Sequence, residues 1–419
     1  MERARLILKP KEDFRLRGGH PWVYDNEIAS IEGEPDPGAE VEVLDARRRS
    51  LGSAFYNPAS KIRARIYSRV VKPADQAFFE ESIARALAWR RRFFDPELQS
   101  LRLVFGEADG LPGLILDSFV GSPEASGPGA AAPRSEPSRG RWLSAQFLSL
   151  GVEMRKSEIL AALKRVFPVR GIAERSDASV RTLEGLPLFS GKLDGEVPER
   201  VVIDENGLSF AVDLLGGQKT GWFLDQRANR AAAARFALDR AGASGRRVLD
   251  AFCNAGGFAL SCAAAGAAEV LAVDSSPEAV AAVAANAARN GLSDRVRALE
   301  ANAFDQLRLF ERGHERFGLV ILDPPAFAKN RASVGSAYRG YKDLNLRALR
   351  IIEDGGVLVT CSCSFWFGRE RFAQMLEEAA RDAGRRLRII EERGQDLDHP
   401  VVSGYGESRY LKCVIAEVS

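Results

Sequence analysis

From residue 225 onward the sequence alternates short apolar runs with amphipathic helical stretches, and this alternation limits the fold more than any other feature. Strands that are apolar on both faces and separated by helices form a parallel sheet covered by helices on both sides. Two later runs close the chain, and this late pair predicts an antiparallel edge. The predicted fold class is therefore α/β, with a doubly wound sheet. The first five runs are Arg247–Ala251, Glu269–Val273, Val296–Leu299, Leu319–Leu322 and Val357–Thr360, and the later two are Arg386–Glu392 and Tyr410–Glu417.

The residues before this sheet predict two smaller domains. Residues 1–72 show period-two apolar spacing with Gly and Pro between the runs, which predicts a small β-barrel. Residues 73–200 combine short strands with a helix beginning near Asp75 and another at Glu153–Phe167, which predicts a central α+β domain. Residues 201–419 would then form the doubly wound domain, entered through a hairpin that turns at Glu205–Gly207.

One stretch of the central domain has a different composition. Residues 121–140 are rich in Gly, Pro, Ser and Ala and contain almost no large apolar side chain. Such a segment cannot bury enough surface to offset its ordering entropy. We predict a disordered insertion near 121–140, within a hairpin loop.

Composition excludes several classes of protein. The five cysteines show no repeated spacing and the three histidines are scattered, so neither a disulfide framework nor a metal site is expected. The net charge of +2 is uninformative, although arginines cluster locally. No apolar stretch is long enough for a membrane span or a signal sequence, so we expect a cytoplasmic protein without membrane contact.

The first strand of the doubly wound sheet leads into a glycine turn that predicts a nucleoside site. In Val248–Gly257 the strand ends at Asp250, Phe252 follows, and Gly256 and Gly257 allow close approach of a ligand. Asp274 ends the next strand, where a carboxylate accepts hydrogen bonds from ribose hydroxyls. The dinucleotide pattern Gly-x-Gly-x-x-Gly is absent, so a phosphate-free nucleoside such as S-adenosylmethionine fits better. Asn302, after the third strand, either lies near the adenine or caps the next helix.

The fourth strand ends in a motif that predicts a flat substrate. Asp323-Pro-Pro-Ala-Phe327 locks an extended turn, aims Asp323 and the Pro324 carbonyl into the cleft, and presents Phe327 for stacking on a base. The loop that follows mixes basic and aromatic residues, a combination that suits nucleic acid, although an ordinary solvated loop is the simpler alternative. Its members are Lys329, Arg331, Tyr338, Arg339, Tyr341 and Lys342.

Two cysteines end the fifth strand, at Cys361 and Cys363, and strand alternation puts both on one face. Cys-x-Cys alone is a weak metal signal. A thiol beside a methyl donor has a specific chemical use, because cytosine C5 is a poor nucleophile. A thiolate that adds to C6 makes an enamine, whose C5 can attack a sulfonium methyl group.

Taken together, the chain resembles the bacterial 23S ribosomal RNA cytosine-5 methyltransferases that carry an N-terminal PUA domain. The resemblance covers nearly the whole sequence. The segments that carry it are His20–Tyr24, Pro58–Arg65, Gly106–Gly113, Lys219–Arg227, Asp323–Phe327, Arg339–Asp343, Ser362–Ser364 and Asp398–Pro400.

The resemblance implies a PUA barrel, a central domain and a class I, Rossmann-like methyltransferase domain that uses S-adenosylmethionine. It implies Cys363 as the nucleophile, Asp323 as a hydrogen-bond partner of the target base, and Cys361 as a bystander. The segment with Thr220 and Gln226 would close over the cofactor. Large-subunit ribosomal RNA would be the substrate, with its backbone held partly by the barrel, where Arg63 and Arg65 share one strand face. Relatives are often dimers, so a homodimer is an expectation.

The sequence departs from this family at two informative positions. Ala301-Asn302 stands where relatives often have acidic residues, and a proline stands where other RNA cytosine-5 methyltransferases have a second cysteine. The base that removes the C5 proton therefore stays unnamed. Two alternatives remain open: methylation of a guanine or adenine nitrogen, which needs no thiol, and an RNA-binding assembly factor that has lost catalysis.

Overall fold

The structure, a computed structural model, describes residues 3–124, 139–217, 220–239 and 244–419. The chain forms two compact units. Most of the predicted insertion at 121–140 lies outside the described residues, as does Lys219. The first unit contains Met1–Asp204, Ala211–Leu224 and Leu397–Ser408, and the second contains Glu205–Phe210, Asp225–Asp396 and Arg409–Ser419.

A six-stranded sheet opens the first unit, with strand order β2-β6-β5-β4-β1-β3. Its apolar side chains alternate along the strands, and Leu6, Val41, Val43 and Ala64 are fully buried in one core. The β-rich N-terminal fold expected from the period-two spacing is confirmed. The elements are β1 (Arg5–Leu8), α1 (Phe14–Arg17), β2 (Trp22–Tyr24), β3 (Ile28–Glu32), β4 (Glu40–Leu44), β5 (Ser50–Tyr56) and β6 (Ile62–Ser68).

A second sheet follows, with order β11-β10-β9-β8-β12-β13 and β7 paired to β8. The helix that precedes the strands of this sheet begins where predicted, because the Asp75 carboxylate accepts a hydrogen bond from the Phe78 amide at 2.9 Å. The elements are α2 (Gln76–Arg90), β7 (Leu101–Phe105), β8 (Leu114–Pro123), β9 (Gly140–Phe147), α3 (Leu150–Glu153), α4 (Lys156–Val166), β10 (Gly171–Ser176), β11 (Phe189–Gly195), β12 (Arg200–Glu205) and β13 (Leu208–Asp213).

Two local predictions in this region can be compared with the structure. The helix predicted over Glu153–Phe167 is confirmed as α4, although it begins three residues later, at Lys156, because Arg155 has a non-helical backbone with φ −112° and ψ 25°. The predicted hairpin turn is confirmed. Asn206 and Gly207 have φ of 52° and 81°, the left-handed values that a tight hairpin of type I′ requires.

The second unit contains the predicted doubly wound sheet. The strand order is β18-β17-β16-β19-β20-β22-β21. The first five are parallel, and β22 lies antiparallel between β20 and β21, so the antiparallel edge is confirmed. The elements are α5 (Arg227–Ala234), β14 (Leu238–Asp239), β15 (Ser244–Gly245), β16 (Arg247–Asp250), α6 (Gly257–Ala264), β17 (Glu269–Asp274), α7 (Pro277–Arg289), β18 (Val296–Glu300), α8 (Ala303–Arg312), β19 (Phe317–Leu322), α9 (Val334–Ile351), β20 (Ile352–Ser362), α10 (Arg369–Ala383), β21 (Leu387–Arg393) and β22 (Lys412–Val418).

Within the described ranges, no helix has the length and apolar character that a membrane crossing requires.

Candidate active site

Three aspartates lie at the carboxyl ends of adjacent strands in the second unit. Asp250 ends β16, Asp274 ends β17, and Asp323 directly follows β19. Because β16 lies between the other two strands, the three carboxylates share the edge where ligands bind in such sheets. Burial, followed by repulsion from Asp323 and Asp274, raises the pKa of Asp250 to about 8. A cationic ligand group at this edge would relieve that repulsion.

Asp250 also has an unused acceptor. Its side chain is fully buried, and Oδ2 accepts the Ala259 amide at 3.0 Å. The other oxygen, Oδ1, is buried and has no partner among the described residues. A buried acceptor without a partner costs about 1–3 kcal/mol. A ligand that brings a hydrogen-bond donor here would offset that cost.

The two glycines after β16 are required by space. Gly256 has φ 88°, and a Cβ there would lie 2.6 Å from Cδ1 of Leu260. A Cβ on Gly257 would lie 2.7 Å from Cδ of Arg230, whose guanidinium is held by Glu205 at 2.6 and 2.9 Å. The turn into α6 can therefore carry only glycine at both positions without local movement.

Asp274 presents a fixed carboxylate to the same edge. Its Oδ2 accepts the Asn254 amide at 2.9 Å, and its Oδ1 accepts the Ser276 amide at 3.0 Å. Each carboxylate oxygen can accept more than one hydrogen bond, so both can still receive the hydroxyls of a ribose. S-adenosylmethionine offers a ribose diol, an ammonium and a sulfonium, and the acceptors at this edge fit those groups.

Gln226 links the segment before α5 to Asp323. Its Nε2 donates to Oδ2 of Asp323 at 2.9 Å, and its Oε1 accepts Nδ2 of Asn229 at 2.6 Å. The neighbouring Arg227 is fixed by Asp396 at 2.8 Å. The structure thus brings Gln226 and Asp323 together and fixes the orientation of both side chains.

Three other predicted cofactor residues have structural surroundings of their own. Thr220 belongs to the first unit, where its buried hydroxyl donates to Asp117 at 2.5 Å. Phe252 is half-buried against the core of the doubly wound sheet. Asn302 caps α8, with its Oδ1 accepting the Phe304 amide at 2.9 Å. Their contacts with a cofactor stay predictions.

The Ser362-Cys363-Ser364 segment forms a clamped turn at the end of β20. The Tyr341 hydroxyl lies 3.0 Å from Oγ of Ser362 and 2.9 Å from Oγ of Ser364. The amide of Ala328, from the Asp-Pro-Pro loop, donates to Oγ of Ser364 at 3.1 Å. Both serines and Tyr341 are buried, whereas Cys363 is partly exposed. The turn thus holds a thiol in a fixed, accessible position.

The remaining cysteines are buried thiols. Hydrogen bonding with Cys413 and burial raise the pKa of Cys361. Burial likewise raises the pKa of Cys253 and Cys262, with Asp250 contributing to both. All of these shifts disfavour the nucleophilic thiolate. The described part of the chain also lacks a cluster of metal-ligating side chains.

The motif after β19 packs partly into the protein. Pro324 is buried, Lys329 is exposed, and Phe327 is half-buried. The Phe327 ring centroid lies 4.6 Å from that of Tyr341. One face of Phe327 is therefore supported from within.

The prediction of a loop that carries basic and aromatic residues is wrong beyond Ser333, because helix α9 begins at Val334. Helical spacing directs Tyr341 into the core, while Arg339 is exposed. Lys342 is partly buried and pairs with two acids of α10, Glu378 at 3.1 Å and Asp382 at 2.8 Å. The Arg339 side chain is therefore more accessible from solvent than the Lys342 side chain.

The two arginines of β6 have different surroundings. Arg63 is partly exposed and its guanidinium lies 4.0 Å from the Asp25 carboxylate. Arg65 is buried between Glu107 at 2.8 Å and Glu184 at 2.9 Å. Its charge is used inside the first unit, which leaves Arg63 as the residue of this pair that solvent can reach.

Sequence reasoning missed two residues that hold the thiol-bearing turn. The basic and aromatic composition predicts a loop around Tyr341, although the spacing of Tyr341 with Ala337, Leu344 and Ala348 is helical and apolar. Lys412 belongs to no recognisable motif, although a lysine at the start of the apolar run of β22 is unusual. Its buried ammonium donates to the Ser364 carbonyl at 2.6 Å.

Comparison with known families gives two matches. Residues 6–69 match the model of a PUA-like domain, and residues 174–408 match that of an S-adenosylmethionine-dependent methyltransferase. The second match covers more than half of the chain.

Curated relatives and solved structures agree with these matches. The chain is 36% identical over 412 residues to ribosomal RNA large subunit methyltransferase I of Klebsiella pneumoniae strain 342, covering 97% of this chain and 96% of the relative. It is 36% identical over 419 residues to the protein of the same name from Alteromonas mediterranea, covering 99% of both chains. Among solved structures, SMU.776, assigned as a methyltransferase and complexed with SAH, matches with a TM-score of 0.80 and 21% identity over 99% of both chains. A solved structure from Streptococcus mutans, assigned as an S-adenosylmethionine-dependent methyltransferase, matches with a TM-score of 0.79, also at 21% identity and over 99% of both chains.

Proposed function

Because the chain belongs to the S-adenosylmethionine-dependent methyltransferases, and within them to the family of ribosomal RNA large subunit methyltransferase I, we propose that it methylates C5 of a cytosine in large-subunit ribosomal RNA. The observation that carries this proposal is the partly exposed thiol of Cys363 in a turn clamped by Tyr341. Methylation at a ring nitrogen has no need of such a thiol.

The cofactor would be held by the carboxylates at the strand ends. Asp274 would accept the ribose hydroxyls, and Asp250 would face a donor or cationic group of the ligand. When bound there, S-adenosylmethionine supplies an electrophilic methyl group. Gly256 and Gly257 would let the ligand lie against the backbone of the turn.

Cys363 would provide covalent catalysis. Its thiolate adds to C6 of the cytosine, which forms a sulfur–carbon bond and moves the C5–C6 double-bond electrons onto C5. C5 then takes the methyl group from the sulfonium, whose sulfur keeps the electron pair of the broken C–S bond. A base removes the C5 proton, and the electron pair of that C–H bond re-forms the C5–C6 double bond as the sulfur–C6 bond breaks and its pair returns to Cys363.

Asp323 would orient the base during these steps. Gln226 fixes the Asp323 carboxylate by a hydrogen bond at 2.9 Å, and a carboxylate can accept from the exocyclic amine of cytosine. Phe327, supported by Tyr341, would stack on the pyrimidine. The base has to leave its helical stack to reach this position, at a cost of a few kcal/mol.

The RNA backbone would be held by cations that solvent reaches, among them the exposed Lys329 and Arg339 and the partly exposed Arg63. Contacts of this kind release counterions, so binding should weaken as the salt concentration rises. Arg339→Glu should weaken binding of ribosomal RNA and leave calorimetric binding of S-adenosylmethionine unchanged.

The decisive experiment compares two cysteine variants. We expect Cys363→Ala to abolish 5-methylcytidine formation in ribosomal RNA, measured by bisulfite mapping and nucleoside mass spectrometry, and Cys361→Ala to retain it. RNA containing 5-fluorocytosine gives a second readout. With fluorine in place of hydrogen at C5, there is no proton for the base to remove. The Cys363 adduct should therefore persist and migrate as a protein–RNA conjugate under denaturing conditions.

Two results would redirect the proposal. Methylation that survives Cys363→Ala, with the label on a purine nitrogen, would favour the N-methyltransferase alternative. An intact protein that fails to bind S-adenosylmethionine in calorimetry would favour an assembly factor.

A further inference from the structure

Lys412 is a buried cation that the steps above do not use. It lies on β22 directly opposite Ser362 of β20, and only 4% of its surface is exposed. Its Nζ donates to the Ser364 carbonyl at 2.6 Å and to the Tyr410 carbonyl at 2.9 Å. An ammonium has three donors, so the protein places a lysine here with two of them directed at backbone oxygens around the Cys363 turn.

Burying an ammonium is costly unless a negative group compensates it. The two carbonyls offer partial charges only, and the neighbouring Arg369 adds repulsion. Burial, the largest influence, lowers the pKa of Lys412 to about 8, whereas Cys363 acts in the opposite direction and favours the ammonium. The interaction between two titrating groups is mutual, so the same ammonium favours the thiolate of Cys363.

The titrating groups around this pair are few in the described structure. Arg369 follows the turn on α10, and Tyr341 faces it from α9 with a pKa that burial raises. Cys413, next to Lys412 on β22, pairs instead with Cys361. Asp323 is directed to Gln226. Lys412 hydrogen-bonds to the carbonyl of Ser364, next to Cys363, and is therefore tied directly to the Cys363 turn.

We propose that Lys412 is a positioning residue that fixes the Ser362-Cys363-Ser364 turn and holds Cys363 as a thiolate. This inference rests on the proposed function for its purpose, and on the hydrogen bonds, strand register and burial of Lys412 for its geometry. It gives the nucleophile a source of activation that needs no histidine.

The test is the pH profile of Cys363 alkylation by iodoacetamide, followed by peptide mass spectrometry. The other four cysteines are buried, so the folded protein should react at Cys363, and Cys363→Ser should remove the signal. An opposite charge within a few ångströms shifts a titration by about 1–3 pH units. We expect Lys412→Gln, which keeps a donor but loses the charge, to move the alkylation midpoint upward by about one unit and to slow the reaction at pH 7 about tenfold.

Two variants complete the design. Lys412→Arg should keep the profile within about half a pH unit of the parent, because it keeps the charge. Lys164→Gln removes an exposed lysine that pairs with Asp194, and should leave the profile unchanged. A Lys412→Gln profile that coincides with the parent, or a slower reaction with an unmoved midpoint, would overturn the proposal, since a purely structural clamp predicts the latter.

If Lys412→Gln fails to fold, the coupling can be measured from the other side. With lysines labelled at Cε, the Lys412 resonance should titrate at lower pH in Cys363→Ser than in the parent, and an equal midpoint would overturn the proposal. These readouts need no RNA. Retention of 5-methylcytidine formation in Cys363→Ala would sink the proposed function, while alkylation and NMR would still decide the role of Lys412.

Discussion

The hydroxyl of Tyr341 can be removed without disturbing the ring around it. In Tyr341→Phe the ring keeps its contacts with Phe327 and Phe367, whose centroids lie 4.6 and 5.0 Å away. The hydroxyl that lies within 3.0 Å of Ser362 and Ser364 is lost. The substitution therefore isolates the hydrogen bonds of the clamp from the packing of the aromatic core.

The expected cost follows from two hydrogen bonds in a buried site. Each contributes about 1 kcal/mol net, so the free energy of unfolding of the methyltransferase unit should fall by about 2 kcal/mol. Catalysis should suffer more than binding, because Tyr341 is fully buried and acts through the Cys363 turn. A nucleophile displaced by a fraction of an ångström to one ångström loses roughly tenfold to a hundredfold in kcat.

Denaturant unfolding and steady-state methylation measure the two effects. The matched control is Tyr338→Phe, on the same helix, whose ring packs on Phe367 at 5.9 Å. It should change the unfolding free energy by about 0.5 kcal/mol or less and leave kcat near the parent value. A Tyr341→Phe enzyme with parental kcat, or one whose KM for RNA rises while kcat stays constant, would refute the reasoning that the clamp positions the thiol.

Three further changes test the surrounding structure. Asp250→Asn should weaken S-adenosylmethionine binding and also change the pH dependence of stability. The pKa of Asp250 is about 8 in the folded protein and about 4 in the unfolded chain. Asp250 therefore stabilises the folded parent at low pH, and this contribution is lost as the pH rises from about 4 to 8. Arg65→Met should destabilise the first unit by about 3–5 kcal/mol, because it leaves the carboxylate of Glu184 buried without its cation. Gly256→Ala should cost about 1–2 kcal/mol for its left-handed backbone, and cofactor affinity should fall as the turn moves away from Leu260.

Each of these has a clear contrary result. Unfolding free energies of parent and Asp250→Asn that differ equally at pH 5 and pH 8 would exclude a protonated Asp250 in the folded protein. Arg65→Met with parental stability would mean that water, not arginine, satisfies the buried acids. Unchanged calorimetric affinity in Gly256→Ala would separate the glycine turn from the cofactor.

Strands of the doubly wound sheet were predictable because both of their faces are covered. Nearly every residue of such a strand is apolar, so the apolar run in the sequence has nearly the same length as the strand. The first part of β20 escaped prediction, since Glu353, Asp354 and Gly355 are exposed and polar although they belong to the strand. Helix α9 escaped for a related reason. Its first turns contain Gly335, Ser336 and Gly340, which are poor helix formers or typical of loops, and only the spacing of the buried side chains indicates a helix.

The positions of the candidate residues were predictable where residue type marks a strand end, as with Asp250, Asp274 and Cys363, and their roles stay predictions. The site was not predictable where a partner comes from a distant segment. Strand alternation correctly groups Arg63 with Arg65, but it cannot indicate that Glu107 and Glu184 cover one of them. The clamp by Lys412 likewise depends on β22 pairing beside β20, a register that composition does not contain.

The first unit includes Leu397–Ser408, although its other parts end at Leu224. In this segment the Asp398 carbonyl accepts from the Arg90 guanidinium at 2.8 Å, and its carboxylate accepts the Arg102 amide at 2.9 Å. During synthesis on a ribosome, these bonds cannot form until about 200 residues have been added after Leu224, which takes roughly 10–40 seconds at ordinary elongation rates. Arg90, which is fully buried in the finished protein, spends that interval without its last acceptor, so the nascent first unit should be most open to proteases and chaperones until residue 408 has left the exit tunnel.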